Sequence, residues 1–257
     1  MEDEKLIIRP PSSVLRHLSK VGLERLLAQR SPAPDLPVSS LYLRSGEASR
    51  FLAVPGDAGR DWAERLSQLG DAVLKSDTGL AGLQAGAEGL VVVPPFPIRE
   101  NKLVPSWDIT PLLTMLEADY TVGIVLLRLG RYLVAVFRGE RLVSSKTDTR
   151  YVKGRHRAGG SSQRRFERIR EGQMRRIYDE TCEVVRSQFE PCARQLDYIL
   201  LGGERFTLNG FLKVCPYLQQ LQGIILDRRL NVRDPKRDTL EEVRELLRQS
   251  RVYPLQW

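Results

Sequence analysis

The chain has 257 residues, 42% of them hydrophobic and 28% charged, the balance of a protein able to bury one large core or two ordinary ones. Its first residues, Met-Glu-Asp-Glu-Lys, lack the basic and apolar regions of a secretory signal, and no apolar run approaches the ~18 residues needed to span a bilayer, which excludes a membrane helix and points to the cytoplasm. The net charge of +8 is concentrated, because ten Lys or Arg residues stand against Glu167 and Glu171 between Arg150 and Arg176, while the rest of the chain holds 30 basic and 30 acidic residues.

In chain order, Val14, Leu15, Leu18, Val21 and Leu26 stand at helical spacing behind Pro10-Pro11 and predict a helix over 12–29. A proline-rich loop over 31–37 follows, then two short strand candidates at 41–43 and 51–54, and a second amphipathic helix over 61–74. Leu90 to Val93 reads as a β-branched strand. The run from Pro94-Pro95 to Pro105 predicts a linker, which divides the chain into a smaller N-terminal α/β domain over 1–105, without any chemical motif, and a second domain over 106–257.

The second domain is better patterned. Thr110-Pro111 supplies an N-cap and first-turn proline for a helix over 112–118. Three strands at 121–129, 132–137 and 141–145 are joined by Gly130-Arg131 and Gly139-Glu140, both suited to two-residue hairpin turns. Phe166, Ile169, Met174, Tyr178, Cys182, Val185 and Phe189 then recur at helical intervals, with one slip near Gly172, and predict a helix on the order of 40 Å long that ends before Pro191. Strands at 198–201 and 223–230 alternate with helices at 208–214 and 239–249, so the expected fold is α/β with a mixed sheet, similar in order to an RNase H-like domain. Cys182, Cys192 and Cys215 have no C-x-x-C spacing, and His17 and His156 stand far apart, so the expectation is buried free thiols, with no metal and no cofactor. Gly202-Gly203 reads as a plain turn and His17 as a surface or core-edge residue.

The excess charge flanks one segment: Lys153-Gly154-Arg155-His156-Arg157-Ala158-Gly159-Gly160-Ser161-Ser162-Gln163-Arg164-Arg165-Phe166-Glu167-Arg168. Such a run is often only a solvated helix face, but here it surrounds a glycine-rich loop on an otherwise neutral chain, as a phosphate-binding footprint would. The segment resembles the Gly-Gly-Gln region of the eukaryotic and archaeal class-1 release factors and Pelota, where a basic stretch, two glycines and an Arg-Phe-x-Arg-x-Arg helix start follow in this order. The glutamine departs from that pattern, since Ser161 holds the third motif position and Gln163 the fifth. The displacement is similar to the Vms/ANKZF-type release factors of ribosome quality control and their bacterial relatives, in which Gly-Gly-x-x-Gln variants occur.

The resemblance implies a release-factor central domain and a peptidyl-tRNA hydrolase, with Gly159, Gly160 and Gln163 as the catalytic set. Lys153, Arg155, His156, Arg157, Arg164, Arg165 and Arg168 would grip tRNA or ribosomal RNA phosphates. The implied partners are the large ribosomal subunit, its rRNA and peptidyl-tRNA, without a membrane. The chemistry agrees: glycines allow close backbone approach, and a neutral carboxamide can hold a water beside an ester carbonyl without acting as a base. Two other readings use the same residues, a non-enzymatic ribosome-binding factor of hibernation or recycling, and an endonuclease near the tRNA 3′ end with His156 as its base.

Overall fold

A computed structural model describes residues 16–128, 130–149 and 161–256, with only the backbone of 161–167 and of Gln256. Its first elements are β1 (Arg16–Leu18), α1 (Lys20–Gln29), β2 (Val38–Leu43), α2 (Glu47–Ala53), α3 (Gly56–Leu66), α4 (Asp71–Leu74), β3 (Leu80–Ala85), β4 (Glu88–Val93), β5 (Lys102–Val104) and α5 (Thr110–Glu117). There follow β6 (Thr121–Arg128), β7 (Arg131–Arg138), β8 (Arg141–Thr149), α6 (Ser161–Phe189), β9 (Tyr198–Gly203), α7 (Arg205–Val214), α8 (Pro216–Gln220), β10 (Ile225–Leu230), α9 (Leu240–Leu247) and β11 (Ser250–Gln256). The architecture is mixed α/β with two sheets, and among the described residues no helix is long and apolar enough to cross a membrane.

Two compact units result, and their boundaries differ from the predicted cut at 105/106: the first unit runs to Glu117 and takes back Arg248 onward, and the second is Ala118–Leu247. In the first unit every neighbouring pair of the sheet β1-β11-β4-β3-β2-β5 is antiparallel. The predicted linker is therefore structural. Its β5 pairs with β2, the Pro94 carbonyl accepts from Thr78 Oγ1 at 2.8 Å, and Phe96 and Ile98 are buried. Proline lacks a backbone N–H but keeps its carbonyl, so a Pro-rich run can be pinned as firmly as any other.

Three further expectations in this unit are corrected. The first helix starts at Lys20, capped by the Ser19 side chain accepting from the Gly22 amide at 3.2 Å, while Arg16–Leu18 pairs with β11. The strand candidate at 51–54 lies mainly in helix α2, where Ala48, Phe51 and Leu52 share one face against the core around Trp62. The helix expected over 61–74 is broken into α3 and α4 by the turns around Leu69 and Gly70. Trp62 lies over Gly82, where a Cβ would come within 2.3 Å of the indole, and its Nε1 donates to Ser39 Oγ at 2.9 Å. His17 is exposed at the sheet edge, with Nδ1 3.2 Å from Gln249 Oε1.

The second unit is built on the sheet β10-β9-β6-β7-β8. β6, β7 and β8 form the expected antiparallel meander, and β9 and then β10 add parallel on the other side of β6, which is the RNase H-like order. Arg138 pairs with Arg141 across Gly139-Glu140 as predicted, but Arg131 already belongs to β7, opposite Arg128. The core on one face joins Val125, Leu127, Tyr132, Val134, Ile199 and Leu201 to Ile177, Val185 and Phe189 of α6 and to Leu208 and Phe211 of α7. Gly202 and Gly203 close β9, and a Cβ on Gly203, at φ 134°, would meet the Leu127 carbonyl at 2.0 Å, so the turn requires glycine. The free-thiol expectation holds only for half-buried Cys192. Cys182 and Cys215 form a disulfide, 33 residues apart in sequence and 5.4 Å apart at Cα, because α7 folds back along α6.

Candidate functional site

Of the predicted site residues, Gln163, Arg164, Arg165 and Arg168 lie at the start of α6. Lys153, Arg155, His156, Arg157, Gly159 and Gly160 lie outside the described residues. Ser161, Ser162 and Gln163, expected in the loop, form the first turn of the helix, with Arg164 and Arg165 following on its backbone and Arg168 exposed. At a rise of ~1.5 Å per residue, the 29 residues of α6 span about 43 Å.

The helix is longer than the sheet it covers. Phe189 packs where a Cβ on Gly123 would sit, near the start of β6, and Glu180 accepts from Tyr132 Oη at 3.2 Å, where Tyr132 stands opposite Leu127 near the end of β6. Nine residues of helix and four of strand each cover about 13 Å between those points, so α6 runs antiparallel to β6 and along its face. Toward the helix start, Tyr178 and Ile177 are its last buried residues, and none from Arg168 to Arg176 is buried. Sixteen residues separate Ser161 from Ile177, so the first turn stands about 24 Å beyond the root, past the carboxyl end of β6.

That root is firm. Gly210 of α7 lies against Tyr178, with room for no side chain because a Cβ would sit 2.8 Å from Tyr178 Oη, and the Tyr178 and Phe211 rings pack at 5.9 Å. Burial pushes the Tyr178 hydroxyl pKa upward, with Arg170 acting the other way. Sequence periodicity located Tyr178, but nothing in it marks Gly210 as the surface it rests on.

Charge is distributed unevenly along the helix. Toward the sheet, Arg175 pairs with Asp179 at 3.0 Å and Arg186 with Glu190 at 3.4 Å. Among the described residues, Arg168 and Arg176 have no carboxylate partner, and Arg170 Nε is buried without a hydrogen bond. The first-turn amides have no acceptor within the helix, and the aligned peptide dipoles add partial positive charge there. A positive helix end on a projecting arm suits an anionic ligand.

An RNase H-like sheet that roots so long a basic helix, with Gly159-Gly160 before it in the sequence, is a domain of the release-factor type. The chain belongs to the Actinobacteria/chloroflexi VLRF1 release factor family, whose model acVLRF1 matches residues 120–253, just over half of the sequence. It is 34% identical over 104 residues to peptide chain release factor subunit 1 of Methanosphaera stadtmanae, covering 40% of this chain and 25% of that one. To the factor of the same name from Methanopyrus kandleri it is 30% identical over 156 residues, covering 58% and 38%. The chain thus spans a quarter to about two fifths of these curated relatives. The solved archaeal translation termination factor aRF1 superposes with a TM-score of 0.38 at 19% identity, over 88% of this chain and 69% of that one.

Proposed function

We propose that the protein is a peptidyl-tRNA hydrolase that frees stalled nascent chains at the peptidyl-transferase centre of the large ribosomal subunit, in ribosome rescue or quality control. The observation that carries this reading is the position of Gln163, in the first turn of a basic helix held about 24 Å beyond its root and preceded by two glycines. The Gln163 amide orients a water on the ester carbonyl carbon, and first-turn backbone N–H groups stabilise the oxyanion that forms. The acyl–oxygen bond then breaks, the water oxygen stays with the peptide as its carboxylate, and of the two water protons one passes to the ribose oxygen of an intact tRNA and the other is released to solvent. Arg164, Arg165 and Arg168, with Lys153, Arg155, His156 and Arg157, hold tRNA and rRNA phosphates and guide the arm inward. The remaining catalytic groups come from the ribosome and the tRNA, and the work is cytoplasmic. The first unit docks to the ribosome, recognises a partner or supports the fold.

Peptide release from ribosome-bound peptidyl-tRNA tests the proposal. Gln163→Ala is expected to abolish release while ribosome binding persists. Equal release by variant and parent would sink the hydrolase and leave a binding factor, and a shortened tRNA among the products would make the protein a nuclease instead.

A further inference from the structure

The sheet end from which α6 overhangs holds a second group of basic residues. β6, β9 and β10 are parallel there, with Leu127 opposite Gly203 and Gly202 opposite Leu230, and open α/β sheets receive ligands at such carboxyl ends. The next residues are Arg128, the last of β6, Arg205 and Phe206 at the start of α7, and the segment 231–236 after β10. That segment crosses the strand ends. Asp234 pairs with Arg131 of β7, Thr147 Oγ1 of β8, which donates to the Tyr132 carbonyl at 2.9 Å, lies 3.4 Å from the Pro235 carbonyl, and Lys236 Nζ lies 2.8 Å from Asp234 Oδ2. Lys236 first and Arg131 second hold the Asp234 carboxyl below its usual range, so its charge is already matched. Among the described residues Arg128, Arg205 and Arg233 have no carboxylate partner, and Glu204 and Asp238 are the other acids of these segments.

Phe206, next to Arg205 at the start of α7, has 81% of its surface exposed. It is not part of the core face of α7, which Thr207, Leu208 and Phe211 supply. The contact of Gly210 with Tyr178 fixes α7 beside the root of the arm, and Phe206 lies one turn, about 6 Å, further toward the overhang. An exposed ring at a sheet end that also carries several guanidinium groups is poorly matched to water but well matched to a nucleobase and its phosphates. An apolar protein surface would leave these guanidinium groups desolvated and unpaired.

We propose that this sheet end is an RNA platform at the base of the arm, on which Phe206 stacks one unpaired base while Arg128, Arg205 and Arg233 hold the adjoining phosphates; the proposal rests on the RNA-facing reading of α6. Fluorescence anisotropy of the full chain with a labelled single-stranded oligoribonucleotide, and with an RNA hairpin lacking unpaired ends, tests it. Phe206→Ala should weaken single-strand binding roughly ten-fold, about 1.4 kcal/mol, and leave hairpin binding unchanged. Phe206→Trp should bind as the parent does, with its indole fluorescence quenched by the single strand. Because the ring is exposed, both variants should melt like the parent. Parental single-strand affinity in Phe206→Ala, or a tryptophan variant as weak as the alanine one, overturns the stacking role, and an equal loss on both RNAs overturns its preference for unpaired bases. Peptide release by Gln163→Ala, read in parallel, separates the two ideas: retained release defeats the hydrolase alone, and loss of single-strand binding in Phe206→Ala still establishes the platform.

Discussion

Replacing Gly172 with proline should uncouple the tip of α6 from its root. Gly172 lies two residues before Met174, which packs against the core, and a Cβ on Gly172 would meet nothing within 4 Å. Proline at this position removes the amide bonded one turn back and crowds the Arg168 carbonyl, which kinks or ends the helix. Eleven residues, about 16 Å of helix, separate Gly172 from Ser161, so a kink of ~20° swings the first turn aside by about 6 Å. Misplacement by ~1 Å can cost on the order of a hundred-fold in a positioned reaction, so release should fall at least that far. The paired variant, Gly172→Ala, keeps the helix straight, gains about 0.8–1 kcal/mol of helix propensity and should release peptide normally. Because the buried residues begin at Ile177, the main urea transition should move little in either variant. Single-turnover release with saturating protein is the assay. Parental rates in Gly172→Pro would refute a catalytic role for a rigid, projecting first turn.

Two further predictions concern the root. Gly123→Ala would drive a Cβ to 2.6 Å from Phe189 Cζ, a fully buried ring, and should destabilise the second unit by about 1–3 kcal/mol; an unchanged urea midpoint would count against the packing of α6 on β6. The Cys182–Cys215 bond closes a separation of 33 residues and should contribute roughly 3–4 kcal/mol by the chain-entropy estimate. Without reductant Cys182→Ser should unfold at lower urea than the parent, and reductant should bring the parent to the same midpoint. Denatured, unreduced protein should titrate one thiol, Cys192, and three would refute the bond. Reductants favour open thiols, so the bond sets the upper limit of this unit's stability.

The sequence by itself determined the second unit most fully. Its strands β6 and β7 are near-continuous apolar runs that are buried along their length, and its long helix keeps a periodic apolar stripe down to Phe189, so local pattern and tertiary environment agree. The Gly-Gly-Ser-Ser-Gln motif and the charge around it are likewise local, and they were enough to identify the family. What only the tertiary structure decided was set by partners distant in the chain. β11 ends in Tyr253-Pro254-Leu255 and becomes a strand because β4 and β1 flank it, which returns the last ten residues to the first unit. Leu80–Ala85 carries glycine and alanine in place of β-branched residues and is a strand only because β2 and β4 bracket it and Trp62 needs the room over Gly82. The disulfide, the seat of Tyr178 on Gly210 and the parallel register of the ends of β6, β9 and β10 also join residues far apart in the chain, a relation that periodicity, which reports a residue's neighbours along one element, does not contain.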